Sequence, residues 1–129
     1  FYDEVVHYNG GTPGTIGIDG VTYAHYFISG VMARPIGGEH PAYTGISKFF
    51  TSVTQGHTHT FDYAIRAKAD GRHVMGLVAG VGQDYYSAWA GDSNKLWRRG
   101  VCVKHGVEDG QYDLEWISLE RLKNVYGSQ

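Results

Sequence analysis

The chain has 129 residues, a formal net charge of −2 and 42% hydrophobic residues. That is one domain's length with enough apolar content to bury a core, which excludes a disordered chain. The small negative charge gives no bulk electrostatic case for nucleic-acid binding, and no apolar stretch approaches the roughly 20 residues of a membrane span.

Cys102 is the only cysteine, so no internal disulfide can form. This favours a reducing compartment, and hence a cytoplasmic location. The unusual entries are 19 Gly and 10 Tyr, a composition of short strands joined by tight turns. The chain opens on Phe1 without an initiator Met, so it reads as a portion of a longer protein.

Residues 1–20 form an irregular, Gly-rich lead-in that ends in the turn signal Asp19-Gly20. Residues 21–27 are apolar on both faces and predict a buried strand. Gly30 to Pro41 is a loop holding Arg34-Pro35 and Gly37-Gly38. Pro41 suits a first helical turn, and Tyr43, Ile46, Phe49 and Phe50 recur near helical spacing, predicting a short helix to about Phe50. Residues 50–55 predict a short strand. Residues 60–68 alternate, turn at Ala69-Asp70-Gly71-Arg72 and return as a strand over 73–79, a β-hairpin.

Residues 80–91 are a Tyr- and Gly-rich loop, and residues 96–104 predict a strand. A turn over 107–112 surrounds Asp109-Gly110, and residues 114–117 predict a last strand. Ser118 caps a final helix over 119–126, which Gly127 stops.

The chemistry centres on Gly56-His57-Thr58-His59. It follows a short β-rich run, and residues two apart on a strand face the same way, so the His-x-His pair is expected to aim both imidazoles at one point, as a divalent metal requires. His25 stands at the end of a predicted buried strand, where α/β proteins place ligands. Its plain alternative is a satisfied core histidine. For His57 and His59, the alternative is two surface histidines at a strand end.

A strand ending in His25, then a loop, a helix, a strand and Gly-His-x-His resembles the closing half of the calcineurin-like metallophosphoesterase motif set. Residues 21–25 look like that family's fourth motif and residues 56–59 like its fifth. The resemblance covers roughly residues 18–105.

It implies an α/β fold, namely the C-terminal half of a four-layer αββα sandwich, strand-dominated with two short helices. The whole chain, 1–129, would form one unit of that domain. It also implies two divalent ions, drawn from Mn, Fe, Zn, Ni or Co. His25 and His57 would hold one ion and His59 the other. The reaction would be hydrolysis of phosphomonoesters or phosphodiesters by a metal-activated hydroxide. Nucleotides and nucleic acids lie within the substrate class of such enzymes.

The family's first three motifs are absent. The bridging Asp and the remaining Asp, His and Asn ligands would come from an N-terminal half or a second chain. This portion alone is therefore expected to bind metal weakly and to hydrolyse little. It is also expected to self-associate through an uncovered apolar face.

Arg34 and His40 lie in the loop after His25 and are candidate substrate contacts, Arg34 for a phosphate. Solvated loop residues are the alternative for both. His7, His73 and His105 are most simply surface residues, and Cys102 a buried strand residue. Lys95, Arg98, Arg99 and Lys104 make a local basic cluster, although a strand would put Arg98 and Arg99 on opposite faces. Tyr85, Tyr86, Trp89 and Trp97 are suited either to stacking bases or to forming a core or an interface.

Two other classes fit His-x-His. A cupin-like barrel wants a Glu about four residues after the second His, where only Asp62 can substitute. A fibre-like assembly would place the histidines on a threefold axis around a shared metal. More generally, the chain could serve as a non-catalytic assembly module.

Overall fold

The computed structural model describes residues 4–127. The chain is mixed α/β and dominated by strands. In order, the strands are β1 (Ile16–Ile18), β2 (Val21–Ala24), β3 (Ile28–Ser29), β4 (Arg34–Pro35), β5 (Ser52–Gln55), β6 (Phe61–Ala67), β7 (His73–Ala79), β8 (Gly100–Glu108) and β9 (Gln111–Ser118). Helix α1 (Pro41–Phe49) precedes β5, a 3-10 segment (Ala88–Lys95) precedes β8, and α2 (Leu119–Tyr126) closes the chain.

The main sheet runs β1-β2-β5-β7-β6. Its centre is parallel, with β5 between β2 and β7, while β1 and β6 are antiparallel at the edges. The β2-to-β5 crossover contains α1, as a parallel connection requires. The sheet is open, with β1 and β6 unpaired to each other, and so is not a cupin-like barrel.

Each face of this sheet is covered by a different layer. Ile46 of α1 packs with Val53, Phe27 and Ile36, and Ala24, Ala64 and Val74 join them. The alternate residues of the same strands, Val21, Tyr23, Tyr63 and Met75, pack against Tyr112 and Leu114 of β9. This is period-two alternation read on three strands at once, β2, β6 and β7. The architecture is therefore helix, five-stranded sheet, two-stranded hairpin. The apolar sheet face expected to lie open is covered by β9, while large apolar residues are exposed both in loops, as at Val31 and Met32, and on strands, as at Ile18, Ile65, Val101 and Val103.

Close approach between layers depends on glycines at two places. A Cβ on Gly76 would stand 2.4 Å from the Ala42 carbonyl oxygen, so α1 lies directly on β7 there. Gly20 meets Gly110 in the same way, and Gly110 N–H donates to the Asp19 carbonyl at 2.8 Å. Ser52 Oγ completes this junction by donating to the Gly110 carbonyl at 2.6 Å and accepting from Met75 N–H at 3.0 Å.

The helix starts are capped differently. Ser118 Oγ accepts from Arg121 N–H at 3.0 Å, as the sequence predicted. His40, at the start of α1, gives no side-chain cap. Asp62 of β6 accepts from Ala42 N–H at 2.9 Å instead, placing a carboxylate at the positive end of the helix.

Three expectations shift. β1 forms from residues assigned to the lead-in, as the antiparallel partner of β2. The strand predicted from Leu96 begins at Gly100, because residues 88–95 take up a 3-10 turn and Leu96 is exposed. The turn over 107–112 narrows to Asp109-Gly110, with a register shift between His105 and Glu108. Among the described residues no helix is long and apolar enough to cross a membrane.

Candidate metal centre at the ends of the parallel strands

β2 and β5 are parallel neighbours, so their C-terminal ends lie side by side. His25 follows β2 and Gly56-His57 follows β5. Gly56 N–H donates to the His25 carbonyl at 3.0 Å, holding the two strand exits together one step beyond the ladder. Ligand sites on open α/β sheets form at this end.

The loop after His25 is fixed by a buried amide. Gln55 Oε1 accepts from Phe27 N–H at 3.3 Å, and its Nε2 donates to the Ile36 carbonyl at 3.4 Å. Gln55 thus ties both arms of the β3–β4 excursion to the end of β5.

His25 Nε2 and His57 Nδ1 are 3.1 Å apart, with ring planes at 80°. One nitrogen must carry the proton for this to be a hydrogen bond. The same separation suits a metal: two imidazole nitrogens at about 2.0–2.1 Å from one ion, near a tetrahedral or octahedral angle, stand about 3–3.4 Å apart. Tyr26 packs beside the pair, with its ring centroid 4.7 Å from that of His57.

The route to this geometry differs from the strand alternation expected. β5 ends at Gln55, and His57 and His59 both adopt left-handed backbone, at φ 69° and 62°. His tolerates this region better than most L-residues, but each such residue still costs about 1–2 kcal/mol. Two strained histidines in three residues are of the kind that clusters at ligand sites.

His59 is directed elsewhere. Its ring sits edge-on to Trp97 at 4.3 Å, and its carbonyl accepts from Arg98 N–H at 3.0 Å. Its Nδ1 is buried without a hydrogen-bond partner. An orphan of this kind costs about 1–3 kcal/mol and calls for an explanation, of which an ion is one. Burial lowers the pKa of His57, helped by His25. Burial also lowers that of His59, with His57, His25 and Arg99 adding to the effect. Both rings are thereby held toward the neutral form that binds metals.

The structure thus brings His25 and His57 together and leaves His59 on the Trp97 side. Among the described residues no three His, Cys, Asp or Glu side chains gather at one point. Arg34 lies exposed in β4, paired with Ser29, and His40 lies exposed before α1, its carbonyl accepting from Thr44. No contact joins either to the three histidines among the described residues. Asp62, the residue available to a cupin-like site, is committed to the α1 N-terminus.

Sequence reading missed Tyr26 and the role of Trp97. Tyr26 falls within the strand predicted over 21–27, and its place directly after His25 is the signal that points to it. Trp97 reaches His59 only because the segment before β8 folds back: Val81 N–H donates to the Arg98 carbonyl, and Gly100 N–H to the Val81 carbonyl, both at 3.0 Å.

His105 pairs with Glu115 at 3.0 Å in an exposed position, and His73 contacts Gln111. Cys102 is half-buried, with its thiol 3.6 Å from the Ala79 carbonyl. No family model, curated protein or solved structure compared with the chain gives a match.

Proposed function

We propose that this chain supplies histidine ligands to a metal-dependent phosphoesterase that hydrolyses phosphomonoesters or phosphodiesters. The observation that carries the reading is the 3.1 Å approach of His25 Nε2 and His57 Nδ1 at adjacent parallel strand ends. His59, with its unpartnered Nδ1, supports a second ligand position on the Trp97 side. In this reading His25 and His57 serve one divalent ion and His59 another.

The ions, when bound, would polarise a phosphoryl oxygen and lower the pKa of a water. The chain's own residues do the rest. Gln55 and the Gly56–His25 backbone bond keep the two strand exits in register. Tyr26 restricts the His57 ring, and Trp97 restricts that of His59. Arg34, for a phosphate, and His40 are the candidate substrate contacts between β3 and α1. Three imidazoles do not complete two sites, so carboxylates from an N-terminal half or a second chain belong to the proposal, as does association with that partner.

Isothermal titration with Mn2+ and Zn2+ tests the reading, alongside hydrolysis of bis-p-nitrophenyl phosphate. Saturable binding that His57→Ala and His25→Ala each abolish is the expected result. Binding unchanged in both variants would remove the basis of the proposal.

A further inference from the structure

Three large aromatic side chains within five residues point into solvent: Tyr85 is 65% exposed, Tyr86 68% and Trp89 78%. They are held on a stiff frame. Buried Asn94 accepts from Ser87 N–H at 2.9 Å, and its Nδ2 donates to the Ser87 and Gly91 carbonyls, both at 2.8 Å. Those bonds close the loop that displays Trp89. Gln83 Nε2 donates to the Tyr85 carbonyl at 2.9 Å and to Ser87 Oγ at 3.0 Å.

Arg99 contacts two members of the set, Tyr85 and Tyr86. It donates to the Asn94 carbonyl at 3.3 Å and to the Tyr85 carbonyl at 3.2 Å. Its guanidinium lies 4.5 Å from the Tyr86 ring centre and 5.7 Å from that of Trp97. Trp89 and Trp97 are 5.6 Å apart, and Trp97 is 4.3 Å from His59.

The aromatic shelf is therefore continuous with the candidate site. Trp89 lies within about 10 Å of His59 by way of Trp97, a span of up to three stacked nucleotides at about 3.4 Å per step. Exposed aromatic faces backed by an arginine, ordered before any ligand arrives, suit a planar, electron-rich group carried on an anionic backbone.

We propose that Tyr85, Tyr86 and Trp89 form a nucleobase platform, and that the phosphoester acted on beside His59 belongs to a nucleotide or a single nucleic-acid strand. The inference rests on the phosphoesterase reading for its reaction, but its binding step can be tested without metal or turnover.

The chain is titrated with a short oligothymidylate, with an abasic sugar–phosphate oligomer of the same length, and with thymidine monophosphate, following tryptophan fluorescence and anisotropy. The oligothymidylate is expected to quench tryptophan emission and to bind about tenfold or more tightly than the abasic oligomer. Trp89→Ala should bring the two affinities together, while Tyr43→Ala, on the exposed face of α1, should leave the difference intact. Quenching by the monophosphate as well assigns single nucleotides to the platform; quenching by the oligomer alone assigns a strand.

Equal affinity for the two oligomers, or an unaltered difference in a folded Trp89→Ala variant, overturns the inference and leaves the shelf as a protein-contact surface. Metal binding that persists alongside that result would spare the phosphoesterase reading. Base-dependent quenching in a chain that binds no metal would sink the phosphoesterase reading alone.

Discussion

Replacing His57 by Ala and, separately, by Gly divides the backbone of the site from its chemistry. Both variants lose the imidazole, its bond to His25 and its contact with Tyr26. They differ in tolerance of a φ of 69°. Left-handed backbone costs an L-residue about 1–2 kcal/mol, a penalty Gly escapes. The greater freedom of Gly in the unfolded chain takes back about 0.4–1 kcal/mol. His57→Gly should therefore be the more stable variant by about 0.5–1 kcal/mol, whereas Gly is ordinarily the less stable of the two.

Urea denaturation in a chelator reads the difference as a midpoint shift of about 0.3–0.5 M. Both variants should lose metal binding equally. The same pair at His59, where φ is 62°, should repeat the order. An Ala variant as stable as its Gly counterpart would refute the left-handed turn, and with it the account of how the histidines are aimed.

Lys104 gives a pH prediction. Its ammonium donates to Tyr23 Oη at 2.9 Å and Thr54 Oγ1 at 2.6 Å between the two sheet layers, and burial lowers its pKa to about 8. The unfolded chain then binds the extra proton between about 8 and the ordinary 10.5, so this residue's contribution to stability rises with pH across that window and is least below it. Cys102, Tyr23 and Tyr112 face the same space with pKa values raised by burial, and their contributions run the opposite way at higher pH. The wild-type minus Lys104→Met difference in urea midpoint, followed from pH 7 upward, should climb; a flat difference would contradict the burial of the ammonium. Gly76→Ala should destabilise by about 1–3 kcal/mol by forcing α1 off β7, and unchanged urea stability would place the helix elsewhere. Ser52→Ala leaves Met75 N–H and the Gly110 carbonyl unpartnered and should cost about 1–3 kcal/mol on the same measurement; no loss would mean that junction is wet.

Local signals carried much of the fold. Pro41 and the apolar spacing after it located α1, the alternation over 60–79 located the β6–β7 hairpin, and Ser118 with Gly127 bounded α2. These elements are written in neighbouring residues through propensity, period and capping. β1 was not legible, because three residues with two exposed carry no period and become a strand only beside β2. Likewise Trp97, Arg98 and Arg99 read as strand by composition. They instead make bonds to Val81, His59, Asn94 and Tyr85 that follow from a folded-back loop.

For the candidate site, the available side chains are legible in the residues alone: three histidines at two predicted strand ends, with Arg34 and His40 on the intervening loop. The residues also exclude a membrane-spanning helix and any internal disulfide. How those histidines meet depends on the packed fold. Parallel pairing of β2 with β5 sets His25 beside His57, while left-handed turns at His57 and His59 send the two rings apart. Ligand identity is a property of the residue, whereas ligand direction depends on backbone angles that residues distant in sequence impose.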